Sequence, residues 1–139
     1  MQLDIVTPDR RVVVGKADDV VIPALGKDGI GVAEIDILPG HAPWLGMLGT
    51  GVLRFVAEGK EVRLMISGGF AEVDHDRVTL MCESAALQGE VVAESERKSL
   101  HDLEKQLAAL GAASEGDENY TRLKAEVDRS AARLSLLNK

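Results

Sequence analysis

The chain has 139 residues and a mass of 14.9 kDa, which is the size of one ordinary domain or of one small domain with an appendage. Its formal charge of −7 argues against nucleic acid as a partner, because phosphate binding needs a basic surface. The single cysteine, Cys82, excludes an intrachain disulfide and a four-thiolate zinc site. With no secretory leader and no apolar run near the ~20 residues of a membrane span, we expect an intracellular protein without direct membrane insertion.

Residues 1–89 have the pattern of short strands. Seven segments rich in valine and isoleucine are separated by turn residues at intervals of about ten residues. They are Gln2–Thr7, Arg10–Gly15, Asp18–Ala24, Gly51–Ala57, Glu61–Ser67, Phe70–Asp74 and Arg77–Glu83. This spacing predicts an all-β sandwich or barrel over residues 1–89. Pro8 and Pro23 are expected at strand ends, where a missing N–H removes no ladder hydrogen bond.

The stretch LPGHAPWLGMLGTG, residues 38–51, predicts a rigid surface loop. Pro39 and Pro43 fix φ at two points, and Gly40 supplies a turn conformation that other residues resist. His41 is therefore presented in one geometry, with Trp44 close behind it. No carboxylate or hydroxyl partner is near His41 in the sequence, so we interpret it as a loop-shaping or partner-contacting residue and not as a general base.

The apolar period changes after Gly89. Between Val92 and Leu110, leucines recur at helical spacing at positions 100, 103, 107 and 110, and Gly111 follows as a C-terminal stop. SEGD, residues 114–117, matches a capping box, and a second stripe contains Tyr120, Leu123, Val127, Ala131, Leu134 and Leu137. Residues 90–139 are thus predicted to form an antiparallel helical hairpin. Its core is thin, so it should be able to rest on the β domain or to leave it.

Three features that resemble catalytic or metal sites have simpler interpretations. Ser67 lacks the G-x-S-x-G pattern of a nucleophile elbow. Asp74, His75 and Asp76 are adjacent on a turn, where their side chains diverge, so we expect a solvated turn and no metal site. Cys82 lies in an apolar run and is expected to be a buried, inert thiol. No catalytic residue and no metal are predicted.

Arg122, Arg129 and Arg133 are spaced by seven and four residues, so they share one face of the second helix. One interpretation is a solvated face of mixed charge. The other is a cationic edge that binds a carboxylate cluster on a partner, since guanidinium groups bind carboxylates in a bidentate manner.

Five ordered motifs resemble the epsilon subunit of the bacterial F-type ATP synthase. They are MQLDIVTP at 1–8, EIDILPGHAPWL at 34–45, GVLRF at 51–55, SGGFAEV followed by DRVTLM at 67–81, and EGDENYTRLKAEVDRSAARL at 115–134. The resemblance runs from end to end of the chain, and the loop around PGHAP is its most specific part. It implies the same fold class that periodicity predicts: an N-terminal sandwich followed by a C-terminal helical hairpin.

The resemblance also implies a function. A member of this family is a non-catalytic rotor subunit of the proton-translocating enzyme, coupling the c-subunit ring through gamma to the catalytic head of alpha and beta subunits. It would be peripheral on the cytoplasmic face of the bacterial inner membrane. By position, the interface with gamma and the c-ring would include Glu34, Asp36, Pro39, Gly40, His41, Pro43 and Trp44. In members that inhibit ATP hydrolysis the helices extend along gamma, and here Arg122, Arg129 and Arg133 would contact acidic segments of beta.

Two departures from the family pattern limit what the resemblance implies. ALGKDGIGV, residues 24–32, is longer than the usual approach to the PGHAP loop, so the ring-facing edge is expected to differ. Some members bind ATP through an acidic residue three positions before an Arg-Ala pair. Here Glu94 precedes Arg97, but Lys98 replaces the alanine, so ATP binding is not carried over and no cofactor is expected.

Two other functions remain as alternatives. One is a free-standing β-sandwich binding module with a helical dimerisation hairpin. The other is a small enzyme that uses His41 or Ser67.

Overall fold

The computed structural model describes residues 1–27, 29, 31–111 and 118–137. These residues form ten strands, one 3₁₀ turn and two helices. The strands are β1 (Gln2–Val6), β2 (Arg11–Lys16), β3 (Asp19–Leu25), β4 (Val32–Ile37), β5 (Trp44–Met47), β6 (Gly51–Ala57), β7 (Lys60–Ser67), β8 (Phe70–Asp74), β9 (Arg77–Met81) and β10 (Ser84–Leu87). The 3₁₀ turn spans Gln88–Glu90, and the helices are α1 (Ala93–Leu110) and α2 (Glu118–Leu137).

The strands form two five-stranded sheets that face each other. The first sheet has the order β2-β1-β9-β8-β5 and the second β10-β7-β6-β3-β4. Pairing is antiparallel except between β1 and β9, which run parallel. The main core lies between the sheets and includes the fully buried Leu3, Ile5, Ile22, Ile37, Leu53, Leu64, Ile66 and Leu80. The predicted fold class, a sandwich followed by two helices, is confirmed.

All seven predicted strands are present, but the sequence pattern missed β4, β5 and β10. β4 alternates acidic residues with isoleucine, and β10 has no β-branched residue. β5 has only four residues, begins directly after Pro43 and contains Gly46. The prediction that Pro23 ends a strand is wrong, because it lies inside β3. β6 pairs with β3 only from Asp19 to Val21, so Pro23 falls where that second partner has already departed.

The tight connections between strands use left-handed backbone conformations. Glu58 and Gly59 have φ of 53° and 76° in the two-residue connection between β6 and β7. Two successive positive φ values match a type I′ hairpin, whose twist fits that of the strands it joins. His75 has φ of 53° in the connection from β8 to β9, and its side chain is 92% exposed, so the predicted solvated turn is confirmed.

Helix α1 packs against α2 through one face. Its six half-buried residues recur every three or four positions, and none of its side chains is fully buried: Ala93, Glu96, Leu100, Leu103, Leu107 and Leu110. Gly111 ends the helix with φ of 72°, as predicted. The predicted capping box at 114–117 lies outside the described residues. A helix with one half-buried face depends on its partner helix for its stability.

Helix α2 has two packing faces, of which the sequence pattern predicted one. Leu123 and Ser130 are buried, and Ser130 donates a hydrogen bond to Glu96 of α1. Ala131 is exposed, so its predicted place in the seam is wrong. Positions 123, 127, 130, 134 and 137 follow a regular 4-3 spacing that puts Ser130, and not Ala131, in line with the seam. The second face carries Ala132 and Leu136, which pack with Met65 of β7 in a small cluster separate from the main core.

Candidate protein-interaction surfaces

The loop over residues 38–43 connects β4 of the second sheet to β5 of the first. Gly40 has φ of 85°, and the His41 N–H donates to the Leu38 carbonyl oxygen at 3.0 Å. His41 Nδ1 lies 2.6 Å from the Ala42 carbonyl oxygen, and since a carbonyl only accepts, the proton is on Nδ1. The imidazole is therefore bonded to the backbone of its own loop. This geometry supports the loop-shaping interpretation of His41 over a catalytic one.

The other residues predicted at this interface do not all point outward. Pro39, Gly40 and Pro43 are exposed on the loop, and Glu34 and Asp36 are exposed on β4, an edge strand. Trp44 is half-buried and packs against the main core. Its ring lies over Gly46, where an added Cβ would be 2.2 Å from the Trp44 ring. The tryptophan therefore anchors the loop to the sandwich.

A carboxyl pair lies beside this edge. The Asp36 side chain hydrogen-bonds to Asp19 on β3, and this contact, together with partial burial, raises the pKa of Asp19 above its ordinary value. The Asp19 Oδ1 atom is itself buried without a hydrogen-bond partner among the described residues. Glu34 is instead neutralised by Arg54, with 2.8 Å between Oε2 and Nη1. At this acidic edge, Glu34 is thus paired with an arginine, whereas Asp19 and Asp36 are paired with each other.

We expect Asp36→Asn to change the pH dependence of stability. The folded protein holds the Asp19 proton more tightly than the unfolded chain does, so stability falls as pH rises through the ordinary and then the raised pKa of Asp19. Removing the Asp36 charge removes most of this loss. Between acidic and neutral pH, the urea midpoint of the variant should therefore fall less than the urea midpoint of the parent chain does. Parallel curves for the two proteins would show that the carboxyl pair contributes no such linkage.

An apolar band crosses the outer face of the first sheet. Met47 of β5 is paired with Phe70 of β8, Phe70 with Met81 of β9, and Met81 with Val6 of β1. Met47, Phe70 and Met81 are 58%, 41% and 47% exposed, and Leu45, two positions before Met47, is 67% exposed. We call these four residues, together with the half-buried Val6, the apolar band. A contiguous exposed apolar surface of this kind is typical of a protein-binding site.

Only the β5 part of this band has a local sequence signal. Along a strand, residues two positions apart share a face, so the inward Trp44 and Gly46 place Leu45 and Met47 outside. Because residues 44–47 were predicted as part of a surface loop, their alternation was not interpreted as that of a strand.

The three arginines of α2 lie in different surroundings. Arg129 Nε donates to Ser67 Oγ at 3.0 Å, and its Nη2 lies 3.6 Å from Glu83 Oε2. Arg133 Nε donates to Glu96 Oε1 at 2.7 Å, whereas Arg122 is exposed. Arg129 and Arg133 border one cleft between the helices and β10, and Arg122 lies near the start of α2. Of the three arginines predicted to share one face, Arg122 is thus exposed, whereas Arg129 and Arg133 are bonded to neighbouring side chains.

Glu96 joins the two helices at the point where the seam becomes polar. Its Oε2 accepts from Ser130 Oγ at 2.7 Å while its Oε1 accepts from Arg133. Ser130 is fully buried, and the Glu96 and Arg133 side chains are 18% and 27% exposed. A buried hydroxyl without a partner is costly, so this triad favours one register of the hairpin.

The remaining candidate residues have structural roles. Ser67 is 3% exposed and bonded to Thr50 Oγ1 at 2.7 Å as well as to Arg129, in the contact between the sandwich and α2. Cys82 is 4% exposed, and burial raises its pKa to about 12, as expected of an inert thiol.

Among the described residues no group of three or more histidine, cysteine or acidic side chains converges on a metal site. Glu94, Arg97 and Lys98 are exposed on α1.

Comparison with known proteins decides the family. Residues 1–88 match the β-sandwich domain of the ATP synthase delta/epsilon chain. The ATP synthase epsilon chain of Anaeromyxobacter dehalogenans (strain 2CP-1 / ATCC BAA-258) is 34% identical over 136 residues, which cover 98% of this chain and 96% of that one. The chain belongs to the ATP synthase epsilon chain family. The epsilon chain of Brevibacillus brevis is 40% identical over 108 residues, 77% of each chain.

The predicted family membership is therefore confirmed, and with it the role of a non-catalytic ATP synthase subunit. In fold, the epsilon-family chain is also similar to a chain in the Euglena gracilis mitochondrial ATP synthase structure that contains OSCP, F1 and the c-ring. That similarity has a TM-score of 0.77 at 21% identity and covers 98% of this chain and 80% of the other. Among the described residues, no helix is long and apolar enough to span a membrane.

Proposed function

We propose that this chain is a central-stalk subunit of a proton-translocating ATP synthase, coupling the c-ring to the catalytic head through gamma. It would act at the cytoplasmic face of the bacterial inner membrane. The observation that carries this proposal is the exposed apolar band on a sandwich whose family is that of the epsilon chain. A non-catalytic rotor subunit acts through its surfaces, and the band brings four exposed large apolar side chains of the described sandwich together on one face.

The band and the 38–43 loop form one continuous surface. β5 begins at Trp44, directly after the loop, and contributes Leu45 and Met47 to the band. Four paired strands at about 4.8 Å spacing make the band about 14 Å wide, a suitable width for a helix or strand of a partner. We assign the apolar band to gamma. Glu34 and Asp36, on the edge strand of the other sheet, are assigned to the polar loops of the c-ring.

The helical hairpin is proposed to act as a brake on ATP hydrolysis when it leaves the sandwich. In the folded state Arg129 is bound by Ser67 and Glu83, and Arg133 is bound by Glu96. The carboxylates of Glu83 and Glu96 therefore compete with any acidic partner for the same guanidinium groups. Release of the hairpin from the sandwich frees Arg129 from Ser67 and Glu83, whereas Arg133 is freed when α1 and α2 separate. Arg122 is exposed already and could make the first contact.

A pull-down from detergent extract tests the coupling role. The chain should recover gamma and the c subunit, and Met47→Asp should lose gamma, because a desolvated carboxylate at the β5 end of the band is costly. Met47 is 58% exposed, so the substitution leaves the isolated fold intact. Val14→Asp is the matched control: Val14 is 56% exposed, but on β2, outside the band, so recovery of gamma should not change.

The alternatives make different predictions in the same experiment. A free-standing module with a dimerisation hairpin would recover only itself, and that result would overturn the stalk assignment. Recovery of gamma by the Met47→Asp variant would place gamma elsewhere on the sandwich. Equal loss of gamma in the Val14→Asp and Met47→Asp variants would show that the loss is not specific to the band, and would also contradict the assignment.

A further inference from the structure

The chain passes from the sandwich to α1 through residues 88–92, and one part of this passage is bound to the sandwich. The Arg10 guanidinium, in the connection from β1 to β2, donates to both carboxylate oxygens of Glu90 at 2.7 Å each. Glu90 Oε1 also accepts the Leu87 N–H at 2.8 Å, and the Leu87 side chain packs against the main core. Glu90 thus makes three hydrogen bonds to the β domain.

The other part of the passage is bound to the helices. Gln88 Nε2 donates to the Leu136 carbonyl oxygen at 3.3 Å, and Val91 packs against the cluster of Met65, Ala132 and Leu136. Val92 is 61% exposed and precedes α1 without a side-chain cap. If α2 lifts from β7, the contacts of Gln88 and Val91 with α2 are broken, whereas those of Glu90 are not.

We propose that the Arg10–Glu90 pair is a junction clamp that keeps residues 88–90 on the sandwich when the hairpin detaches, so that the hairpin pivots at Val91 and Val92. This inference rests on the proposed release of the hairpin. The bidentate guanidinium–carboxylate geometry is the strong form of an ion pair. The hydrogen bond from Arg10 lowers the pKa of Glu90 to about 2, so the clamp stays ionised at neutral pH.

The clamp limits where the released helices can go. Freeing residues 88–90 would add three residues to the tether, which is up to about 10 Å of extra reach at full extension. With the clamp closed, α1 always leaves the sandwich from the same point. A fixed departure point restricts the positions at which Arg129 and Arg133 can meet a partner.

Native-state hydrogen exchange on the full chain tests the clamp, with the Leu87 amide as reporter. Local opening of the helices exposes their amides, but Leu87 should exchange about tenfold more slowly than they do, because Glu90 still accepts its hydrogen. Arg10→Gln leaves that acceptor in place but removes the clamp, so Leu87 should then exchange together with α1 and α2. Arg77→Gln is the control, since it removes an exposed pair with Asp4 at 3.1 Å within the sandwich.

Three results would overturn the clamp: exchange of Leu87 with the helices in the parent chain, no effect of Arg10→Gln, or a single rate for helices and sandwich. These results can be distinguished from a failure of the proposed braking function. If ATP hydrolysis by the assembled enzyme does not respond to loss of the helices, the brake is excluded, while a slowly exchanging Leu87 still supports the clamp.

Discussion

Replacing Gly69 by alanine should destabilise the sandwich by about 3–5 kcal/mol, a large part of the stability of a domain of this size. Gly69 has φ of 97°, and a Cβ there would lie 1.8 Å from the Met81 carbonyl oxygen. The neighbour is backbone of β9, so it cannot rotate away as a side chain would. The Gly69 carbonyl also accepts the Leu48 N–H at 2.9 Å, so displacing it weakens the attachment of the segment that follows β5.

Gly15→Ala is the matched control for this effect. Gly15 lies in β2 with no heavy atom within 4 Å of the added Cβ, and its φ is outside the left-handed region. Alanine there should change stability by less than about 1 kcal/mol. Urea unfolding followed by Trp44 fluorescence measures both variants. Equal midpoints for the two would mean that the β8–β9 contact relaxes at little cost and that Gly69 is not required.

Deleting residues 90–139 should leave the sandwich folded and raise ATP hydrolysis by the assembled enzyme, while coupled ATP synthesis is largely retained. The main core consists of side chains from residues 1–89, and the buried apolar residues of the described part of α2 that pack on the sandwich belong to the separate small cluster around Met65. The measurement is hydrolysis and proton-driven synthesis by the complex with full-length or shortened chain. Unchanged hydrolysis would remove the inhibitory role and spare the structural one.

Two point variants separate the role of Arg133 toward a partner from its role in the hairpin. Arg133→Gln and Glu96→Gln both break the 2.7 Å pair between the helices. Only the first removes the group that would bind beta. A charge-assisted hydrogen bond contributes about 1.5–3 kcal/mol, so Arg133→Gln should reduce the braked population by about tenfold or more. Glu96→Gln should keep or strengthen the brake. Equal activation by both variants would contradict the competition between Glu96 and beta.

The fold class, a sandwich followed by two helices, could be predicted because its strands and helices have distinct periods. The β-branched segments and the leucines of α1 carry strong local patterns, and both hairpin connections contain residues that adopt left-handed conformations. β5 and β10 could not be predicted because their short sequences are stabilised by pairing with β8 and β7, which depends on the whole sheet. The same holds for Pro23, whose tolerance depends on where β6 leaves β3.

The interaction surfaces were predicted less completely than the fold. The proline and glycine loop could be read directly, since φ constraints are local. The apolar band could not, because its members come from β1, β5, β8 and β9 and meet only through strand register. Ser130 shows the same limit on the helices. A serine in an apolar seam has no sequence signal, and only the partner at Glu96 explains it.

The parallel pairing of β1 with β9 sets the order in which the first sheet can be assembled. β1 and β2 are neighbours in sequence and can form a hairpin as soon as both are synthesised. The other edge of β1 must wait for residues 77–81, which are separated from it by most of the sandwich. Closing so long a loop costs chain entropy before any contact is gained, so this step should control the folding rate. Until it happens, a newly made chain carries an open strand edge that another chain could pair with.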